Sequence, residues 1–210
     1  MHFWIEQALL PQGWRRGVRI GIAGARIVEV AEDVPAQPGD RHLAIAVPGL
    51  GNLHSHAFQR GMAGLTETLS DRQGGAGADS FWSWRELMYR FLERLDPDSF
   101  QAIAEQAYVE MLEAGFTRVG EFHYLHRAPD GGAYADPAEM AARVAAAAQA
   151  SGIGLTLLPV FYAHADFGGG DRRDVQVGVP AVLEQPGPGR LRAAVEIGHG
   201  PGIAAQVIRC

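Results

Sequence analysis

Val47-Pro-Gly-Leu-Gly-Asn-Leu-His-Ser-His56 is the stretch that decides how this 210-residue chain is organised. An apolar run at residues 43–47 leads into a Pro-Gly turn, and the stretch ends in two histidines two positions apart. Side chains at i and i+2 of a β-strand point to the same face. His54 and His56 are therefore predicted to present two imidazoles on one side of a strand, which suits a zinc-type cation. The alternative is a pair of ordinary polar residues at a strand end.

The composition is that of a globular protein with a sizeable core. Hydrophobic residues make up 47% of the chain and charged residues 20%, and the net charge of −6 argues against nucleic-acid or anionic-membrane partners. No run of 18 apolar residues predicts a membrane-spanning helix, and the first residues lack the pattern of a signal peptide. A single cysteine, Cys210, cannot form an internal disulfide, so we expect a cytoplasmic protein.

The first 47 residues predict a small β unit. Alternating apolar positions indicate strands at residues 3–9, 18–22 and 26–31, with a hairpin turn at residues 23–25 and a loop at residues 33–41. Such a unit is too short to bury both faces of its sheet by itself.

From residue 48 the pattern changes to alternating strands and helices. A Gly-rich segment at residues 71–79 is predicted to be a mobile loop. Helices are predicted at residues 80–95, over the apolar positions from 100 to 112 with Gly115 as the terminating glycine, and from an Asp136 N-cap to residue 150 with Gly152 closing it. Strands are predicted at residues 116–124 and 153–162. This order predicts βαβ units and a parallel sheet.

Polar and aromatic side chains stand at the end of each predicted strand of this second part. They are His54 and His56, then Glu121, His123 and Tyr124, then Tyr162 and His164. Functional sites of parallel α/β folds lie at the carboxyl ends of the strands, so these residues are expected to converge at the mouth of a (β/α) barrel.

Four motifs follow one another along the chain: His54-Ser-His-Ala-Phe-Gln-Arg60, Ser80-Phe-Trp-Ser-Trp-Arg-Glu-Leu-Met-Tyr-Arg90, Glu121-Phe-His-Tyr124 and Gly154-Leu-Thr-Leu-Leu-Pro159. Together, in this order, they resemble the formimidoylglutamate deiminases of the amidohydrolase superfamily. The resemblance extends over residues 1 to about 170. It implies an α/β fold, with part of a (β/α)8 barrel preceded by a small β-sandwich domain.

The resemblance also implies a function. Members of this family use one Zn²⁺ and an activated water to hydrolyse N-formimidoyl-L-glutamate, a step of histidine degradation. His54 and His56 match the first two metal ligands, and Gln59, Arg85 and Tyr124 match residues that contact the small dicarboxylate substrate. A guanidinium such as that of Arg85 can bind a carboxylate with two hydrogen bonds. No residue of this chain is assigned as catalytic, and a homodimer is the expected assembly of the full-length protein.

Other interpretations of the same residues stay open. Arg85 lies on a helix rich in charge and suits a solvated face, and Tyr124 suits a strand-end aromatic whose hydroxyl is satisfied. His123 and His164 are expected to support the site or lie on the surface, and Trp84 is expected in the core. An aminopurine or triazine deaminase of the same superfamily, or a fragment without catalysis, would also fit the His-x-His strand.

The sequence also predicts where the resemblance ends. The family's third metal histidine, a further catalytic histidine, a substrate-binding arginine and a metal-binding aspartate lie on later strands, and this chain supplies about three of eight βα units. We expect domains at residues 1–47 and 48–173, with a Gly/Pro-rich tail at 174–210. We hypothesise that a frameshift near residue 174 produced this tail.

Overall fold

The computed structural model describes residues 1–65, 81–161, 203–205 and 208–209. The predicted Gly-rich loop at residues 71–79 lies outside this part of the chain. The chain forms two compact units, Met1–Gly49 and Leu50–Cys210. The fold is mixed α/β, and among the described residues no helix is long and apolar enough to cross a membrane.

The first unit is built on one four-stranded sheet. Its strands are β1 (His2–Leu10), β2 (Gly13–Ala23), β3 (Arg26–Ala31) and β4 (Arg41–Ala46), in the order β3-β2-β1-β4. β1 pairs antiparallel with β2 and parallel with β4, and β2 pairs antiparallel with β3. Ile5, Ala8 and Val18 form its buried core. The three strands predicted from the sequence are all present, and β2 begins earlier than predicted.

Several apolar side chains on the outer strands of this sheet remain in contact with solvent. Register places Ile5 opposite both Val18 and Leu43, so these three side chains lie on one face. The exposed fraction on the outer strands is large, at 49% for Val30, 41% for Leu43 and 63% for Ile45. A single sheet has nothing to bury these residues against.

The second unit contains a parallel sheet with helices between its strands. In chain order it comprises β5 (Leu50–Ser55), a 3-10 helix (Ala57–Met62), α1 (Phe81–Leu92), α2 (Pro97–Glu113), β6 (Phe116–His123), α3 (Glu139–Ser151), β7 (Gly154–Phe161), β8 (Ile203–Ala205) and β9 (Ile208–Arg209). The sheet order is β5-β6-β7-β8, every pair is parallel, and β9 also pairs with β7. The predicted alternation of strands and helices is confirmed.

Local chemistry explains where the helices begin and end. Asp96 is the N-cap of α2, because its Oδ1 accepts a hydrogen bond from the Ser99 amide at 2.7 Å, and Pro97 occupies the first helical position. Gly115 and Gly152 follow α2 and α3 with positive φ angles of 90° and 83°, as predicted for terminating glycines.

The predicted N-cap of α3 is wrong. The helix begins at Glu139 with Ala138 as the N-cap. Asp136 instead begins a turn before the helix, since its Oδ1 accepts a hydrogen bond from the Ala138 amide at 2.8 Å and its carbonyl accepts one from the Glu139 amide at 3.1 Å. An Asp-Pro pair fits such a turn as well as it fits a helix start, so the sequence could not separate the two.

The core of the second unit lies between the sheet and its helices. Fully buried members come from the 3-10 helix, from α2, from α3 and from the two central strands, among them Phe58, Met62, Phe100, Ala104, Tyr108, Val119, Val144, Ala147, Leu155 and Leu157. Trp84 packs partly buried against this core, as expected. β6, which contributes Val119 to this core, lies directly beside the strand that carries the histidines.

Candidate metal centre

The histidine pair stands at the carboxyl end of β5. His54 lies within the strand, and His56 is the residue before the 3-10 helix. The apolar run at residues 43–47, which leads into this stretch, falls mainly in β4 of the first unit, so the strand that carries the pair starts only at Leu50. Pairing with β6 shifts register between Asn52 and Ser55, and this irregularity falls next to His54.

The two imidazoles converge, as the i, i+2 spacing predicts. Their Nε2 atoms lie 3.1 Å apart, and the ring planes are almost perpendicular at 87°. Two nitrogens held 2.0–2.1 Å from one tetrahedral zinc would be about 3.3 Å apart. The donor atoms and their separation therefore fit two ligands of one metal ion.

Phe122 of β6 fixes both histidines. The Nδ1–H of His56 donates to the Phe122 carbonyl at 2.8 Å, which leaves the Nε2 lone pair directed at His54. The Phe122 ring lies 4.4 Å from the His54 ring. Burial lowers the pKa of His56, and the neighbouring His54 lowers it further against the opposing effect of the Phe122 carbonyl. His56 is thus held neutral, the form that binds a metal.

Two ligands are all that this part of the chain provides. Among the described residues, no group of three or more His, Cys, Asp or Glu side chains is arranged to hold a metal ion. Catalytic zinc sites normally use three protein ligands and keep one position for water or substrate. A complete zinc site therefore needs at least one ligand besides this pair.

Gln59 and Tyr124 lie next to the histidines. The Gln59 Nε2–H donates to the Tyr124 hydroxyl at 3.2 Å, and the Tyr124 ring lies 4.8 Å from the ring of His56. Tyr124 follows the end of β6 and is 7% exposed. The structure thus brings together four of the five residues selected from the sequence.

Arg85 lies on α1, about one helical turn before Met88, which approaches Tyr124. Its Nε–H donates to the Tyr89 hydroxyl at 3.1 Å, and its guanidinium carbon is 5.4 Å from the Tyr89 ring centroid. Met88, three residues further along α1, places its sulfur 4.0 Å from the Tyr124 hydroxyl. Substrate contact by Arg85 stays a prediction.

Two residues expected at the strand ends with the histidines face the other way. Glu121 and His123 are 1% and 2% exposed and point into the layer between the sheet and α2. The His123 ring lies 5.9 Å from that of Phe100, and burial lowers its pKa well below the usual value. The expectation of convergence at one mouth is wrong for both residues, because they alternate with Phe122 along β6. Tyr162 and His164 lie outside the described residues.

Glu121 has a structural contact that the sequence reasoning missed. Its Oε1 accepts a hydrogen bond from the Ala57 amide at 2.7 Å. Burial raises the pKa of Glu121 to about 7, against smaller opposing effects of Ala57, Ser55 and Tyr108. The inward orientation of Glu121 could be predicted from strand alternation, which places Glu121 and Phe122 on opposite faces of β6.

Comparison with known proteins confirms the resemblance. Residues 2–44 match the family model described as formimidoylglutamate deiminase HutF, N-terminal domain. The chain is 50% identical to formimidoylglutamate deiminase of Pseudomonas aeruginosa over 97% of its own length and 45% of that protein's length. It is 30% identical to 8-oxoguanine deaminase of the same organism, over 50% of this chain and 23% of that protein.

Solved structures show the same fold. An amidohydrolase from Brucella melitensis superposes with a TM-score of 0.84 at 48% identity, covering 98% of this chain and 45% of that one. An atrazine chlorohydrolase from Arthrobacter aurescens, complexed with zinc, superposes with a TM-score of 0.68 at 18% identity over 100% of this chain and 46% of that one. The chain thus resembles the formimidoylglutamate deiminases and spans about half the length of the proteins it matches.

Proposed function

We propose that this chain is part of a zinc-dependent formimidoylglutamate deiminase, which hydrolyses N-formimidoyl-L-glutamate to N-formyl-L-glutamate and ammonia in histidine degradation. The observation that carries the proposal is the 3.1 Å approach of two histidine Nε2 atoms in a chain 50% identical to such an enzyme. A cytoplasmic homodimer is proposed for the full-length protein.

His54 and His56 would hold the metal. The zinc ion, when bound, supplies Lewis-acid activation of the water that hydrolyses the C–N bond. The role of Phe122 is to keep His56 in the tautomer whose Nε2 is free to bind. Because burial keeps His56 neutral, little proton competition opposes metal binding near neutral pH.

Gln59, Tyr124 and Arg85 would bind the substrate. The Gln59 amide and the Tyr124 hydroxyl already form a hydrogen-bonded pair beside His56, so both offer polar atoms close to the proposed metal. N-formimidoyl-L-glutamate carries two carboxylates, and a guanidinium can bind one of them with two hydrogen bonds. Arg85 lies one helical turn from Met88, which contacts Tyr124.

The two units correspond in this proposal to two parts of a larger fold. The parallel strands β5, β6 and β7 would be the first strands of a (β/α)8 barrel. The first unit's sheet would be one layer of a β-sandwich. Exposed Val30, Leu43 and Ile45 support this second assignment, because a facing sheet would remove their apolar surface from water.

A chimaera tests the proposed activity directly. Residues 1–161 of this chain replace the aligned residues of the Pseudomonas aeruginosa deiminase, which supplies the remaining strands. We expect zinc-dependent ammonia release from N-formimidoyl-L-glutamate, lost on His54→Ala. A folded, zinc-loaded chimaera that releases ammonia from 8-oxoguanine or guanine, but none from N-formimidoyl-L-glutamate, would overturn the proposal.

A second deaminase activity is the competing proposal. The 30% identity to 8-oxoguanine deaminase over half of this chain favours it. That similarity covers a smaller part of the chain at lower identity than the similarity to formimidoylglutamate deiminase. The two substrates in the chimaera assay separate these activities.

The tail at residues 174–210 has its own test. The match to the deiminase covers 97% of this chain, so it extends past residue 174. The frameshift hypothesis remains a proposal, and translating the parent DNA in the other two frames beyond residue 174 decides it. A frame that resumes a barrel with a later histidine and an aspartate would support a frameshift, and two frames without them would exclude it.

A further inference from the structure

We infer that Glu121 is a positioning residue, which holds the His54–His56 pair in its converging arrangement from the opposite face of the sheet. The inference rests on the proposed metal-binding role of the two histidines. Glu121 would act through the backbone of Ala57 rather than by touching a metal or substrate.

The geometry separates Glu121 from the metal side. Ser55 is paired with Glu121 across the two parallel strands, and both side chains are buried. His54 and His56 flank Ser55 and so point to the other face, where the Phe122 ring contacts His54. Glu121 therefore cannot serve as a third ligand beside the two histidines.

The carboxyl group instead anchors the chain directly after His56. Ala57 is the first residue of the 3-10 helix, and His56, the N-cap, provides no side-chain hydrogen bond to that helix. The first amides of a helix have no partner within it. Glu121 Oε1 accepts the Ala57 N–H at 2.7 Å and so fixes the backbone immediately after the second histidine.

Two consecutive residues of β6 thus hold two consecutive residues after β5. The Phe122 carbonyl binds the His56 ring, and the Glu121 carboxyl binds the Ala57 amide. One contact sets the rotation of the ring, and the other sets the position of the backbone that carries it. Loss of the second contact should let His56 move relative to Phe122 and weaken the first.

Burial of the Glu121 carboxyl group is unfavourable, and this indicates that its hydrogen bond to the Ala57 amide has a role. A buried polar or charged group is destabilising unless it is hydrogen-bonded. Glu121 is 1% exposed, and none of the ion pairs found in the described part of the chain includes it. A leucine would fill a similar volume without that cost, but it could not accept the Ala57 hydrogen bond.

The test compares three variants of the whole 210-residue chain. Glu121→Leu removes the acceptor, Glu121→Gln keeps an oxygen acceptor in nearly the same shape, and Val119→Ala is the matched control. Val119 is fully buried on the same face of β6, two residues away, so its truncation weakens the core without touching residue 57. The His54→Ala/His56→Ala double variant defines metal binding outside the pair.

The first readout is the affinity for Co²⁺ alone, followed by its visible absorption. We expect Glu121→Leu to weaken binding about tenfold or more, the size of effect seen when groups that orient metal ligands are removed. Glu121→Gln and Val119→Ala should stay within about threefold of the unmodified chain. Equal affinities in all folded variants, or losses that simply follow the fall in thermal stability, would overturn the inference.

The second readout needs no metal. Long-range ¹H–¹⁵N NMR of labelled histidines reports which ring nitrogen of His56 carries the proton, and hydrogen exchange reports protection of the Ala57 amide. We expect a single Nδ1–H tautomer and a protected amide in the unmodified chain and in Glu121→Gln, with both lost in Glu121→Leu.

These readouts separate failure of the inference from failure of the proposed metal site. If the unmodified chain binds Co²⁺ no better than the double histidine variant, the metal proposal fails while the NMR result still decides the role of Glu121. If Glu121→Leu does not fold, an unprotected Ala57 amide in the unmodified chain or in Glu121→Gln would overturn the inference, and protection in both would support it.

Discussion

The Nε2 atoms of His54 and His56 lie 3.1 Å apart, and the Nδ1–H of His56 is already bonded to a backbone carbonyl. Two unprotonated nitrogens at this distance would repel each other through their lone pairs, so either a proton or a cation belongs between them. The Nε2–H tautomer of a neutral His54 can place a proton there by donating to His56 Nε2. A divalent metal ion bound by both nitrogens can take the same place.

Removing either histidine should weaken metal binding. We expect His54→Ala and His56→Ala each to lower Zn²⁺ affinity at least about tenfold, because each removes one of two converging nitrogens. Isothermal titration at pH 7.5 measures the change. His42→Ala is the control, since His42 is exposed in the first unit, and a loss of affinity there as large as in the other two variants would contradict the assignment.

Glu121 should give the protein a characteristic dependence of stability on pH. Its folded-state pKa is raised from 4.5 to about 7, so between these values the folded state binds more protons than the unfolded state. The free energy of unfolding should therefore fall as pH rises through this window, by at most about 1.4 kcal/mol per pH unit from this group.

The Glu121→Gln variant isolates that contribution. His56, His123 and His126 have lowered pKa values and produce the opposite slope, but they are present in both proteins and cancel in the difference. Urea unfolding at pH 4.5 and at pH 7.5 should show the variant gaining stability relative to the unmodified chain at the higher pH. A difference that does not change with pH would show that Glu121 titrates normally.

Gly61 should tolerate no larger residue. A Cβ at this position would lie 2.6 Å from Cζ of Phe91 and 2.9 Å from Cδ1 of Ile103. We expect Gly61→Ala to lower the free energy of unfolding by about 1–3 kcal/mol through overpacking. Gly51→Ala is the matched control, because a Cβ there meets only a leucine methyl at 3.8 Å. Equal stabilities in urea titration would mean that Phe91 moves aside without cost.

The Tyr124 hydroxyl should contribute to substrate binding. In the chimaera, Tyr124→Phe should raise KM for N-formimidoyl-L-glutamate about tenfold, the equivalent of one lost hydrogen bond, with a smaller change in kcat. Tyr134→Phe serves as the control, since its hydroxyl is buried without a partner in the described part of the chain. Steady-state ammonia release measures both, and an unchanged KM in Tyr124→Phe would remove Tyr124 from the substrate site.

The sequence predicted most of the local structure of the described residues. The alternation of strands and helices predicted the parallel sheet. The helix ends in this pattern were identified by Gly115 and Gly152, because the positive φ angle that follows a helix is readily adopted only by glycine. The i, i+2 spacing of His54 and His56 gave their convergence, since it depends only on strand geometry. These features are set by neighbours in sequence, which is why a single sequence was sufficient.

Contacts between distant residues were not predictable in the same way. The hydrogen bond from His56 Nδ1–H to the Phe122 carbonyl depends on the register between β5 and β6, which shifts at an irregularity in β5. The opposite orientation of Glu121 and His123 could have been read from alternation along β6, but the contact with Ala57 required the three-dimensional pairing. Asp136 shows that prediction can also fail at short range, because an Asp-Pro pair is compatible with both a helix N-cap and a turn.

Gly120 contributes to this centre although it has no side chain. It lies on β6 beside the irregular part of β5, and a Cβ there would stand 3.2 Å from the carbonyl oxygen of Leu53, the residue before His54. Even a single methyl group would displace that carbonyl by a few tenths of an ångström. The position of the backbone before His54 therefore depends on residue 120 of the neighbouring strand having no side chain beyond a hydrogen atom. A substitution at Gly120 should therefore impair the proposed metal site while every group capable of chemistry remains in place.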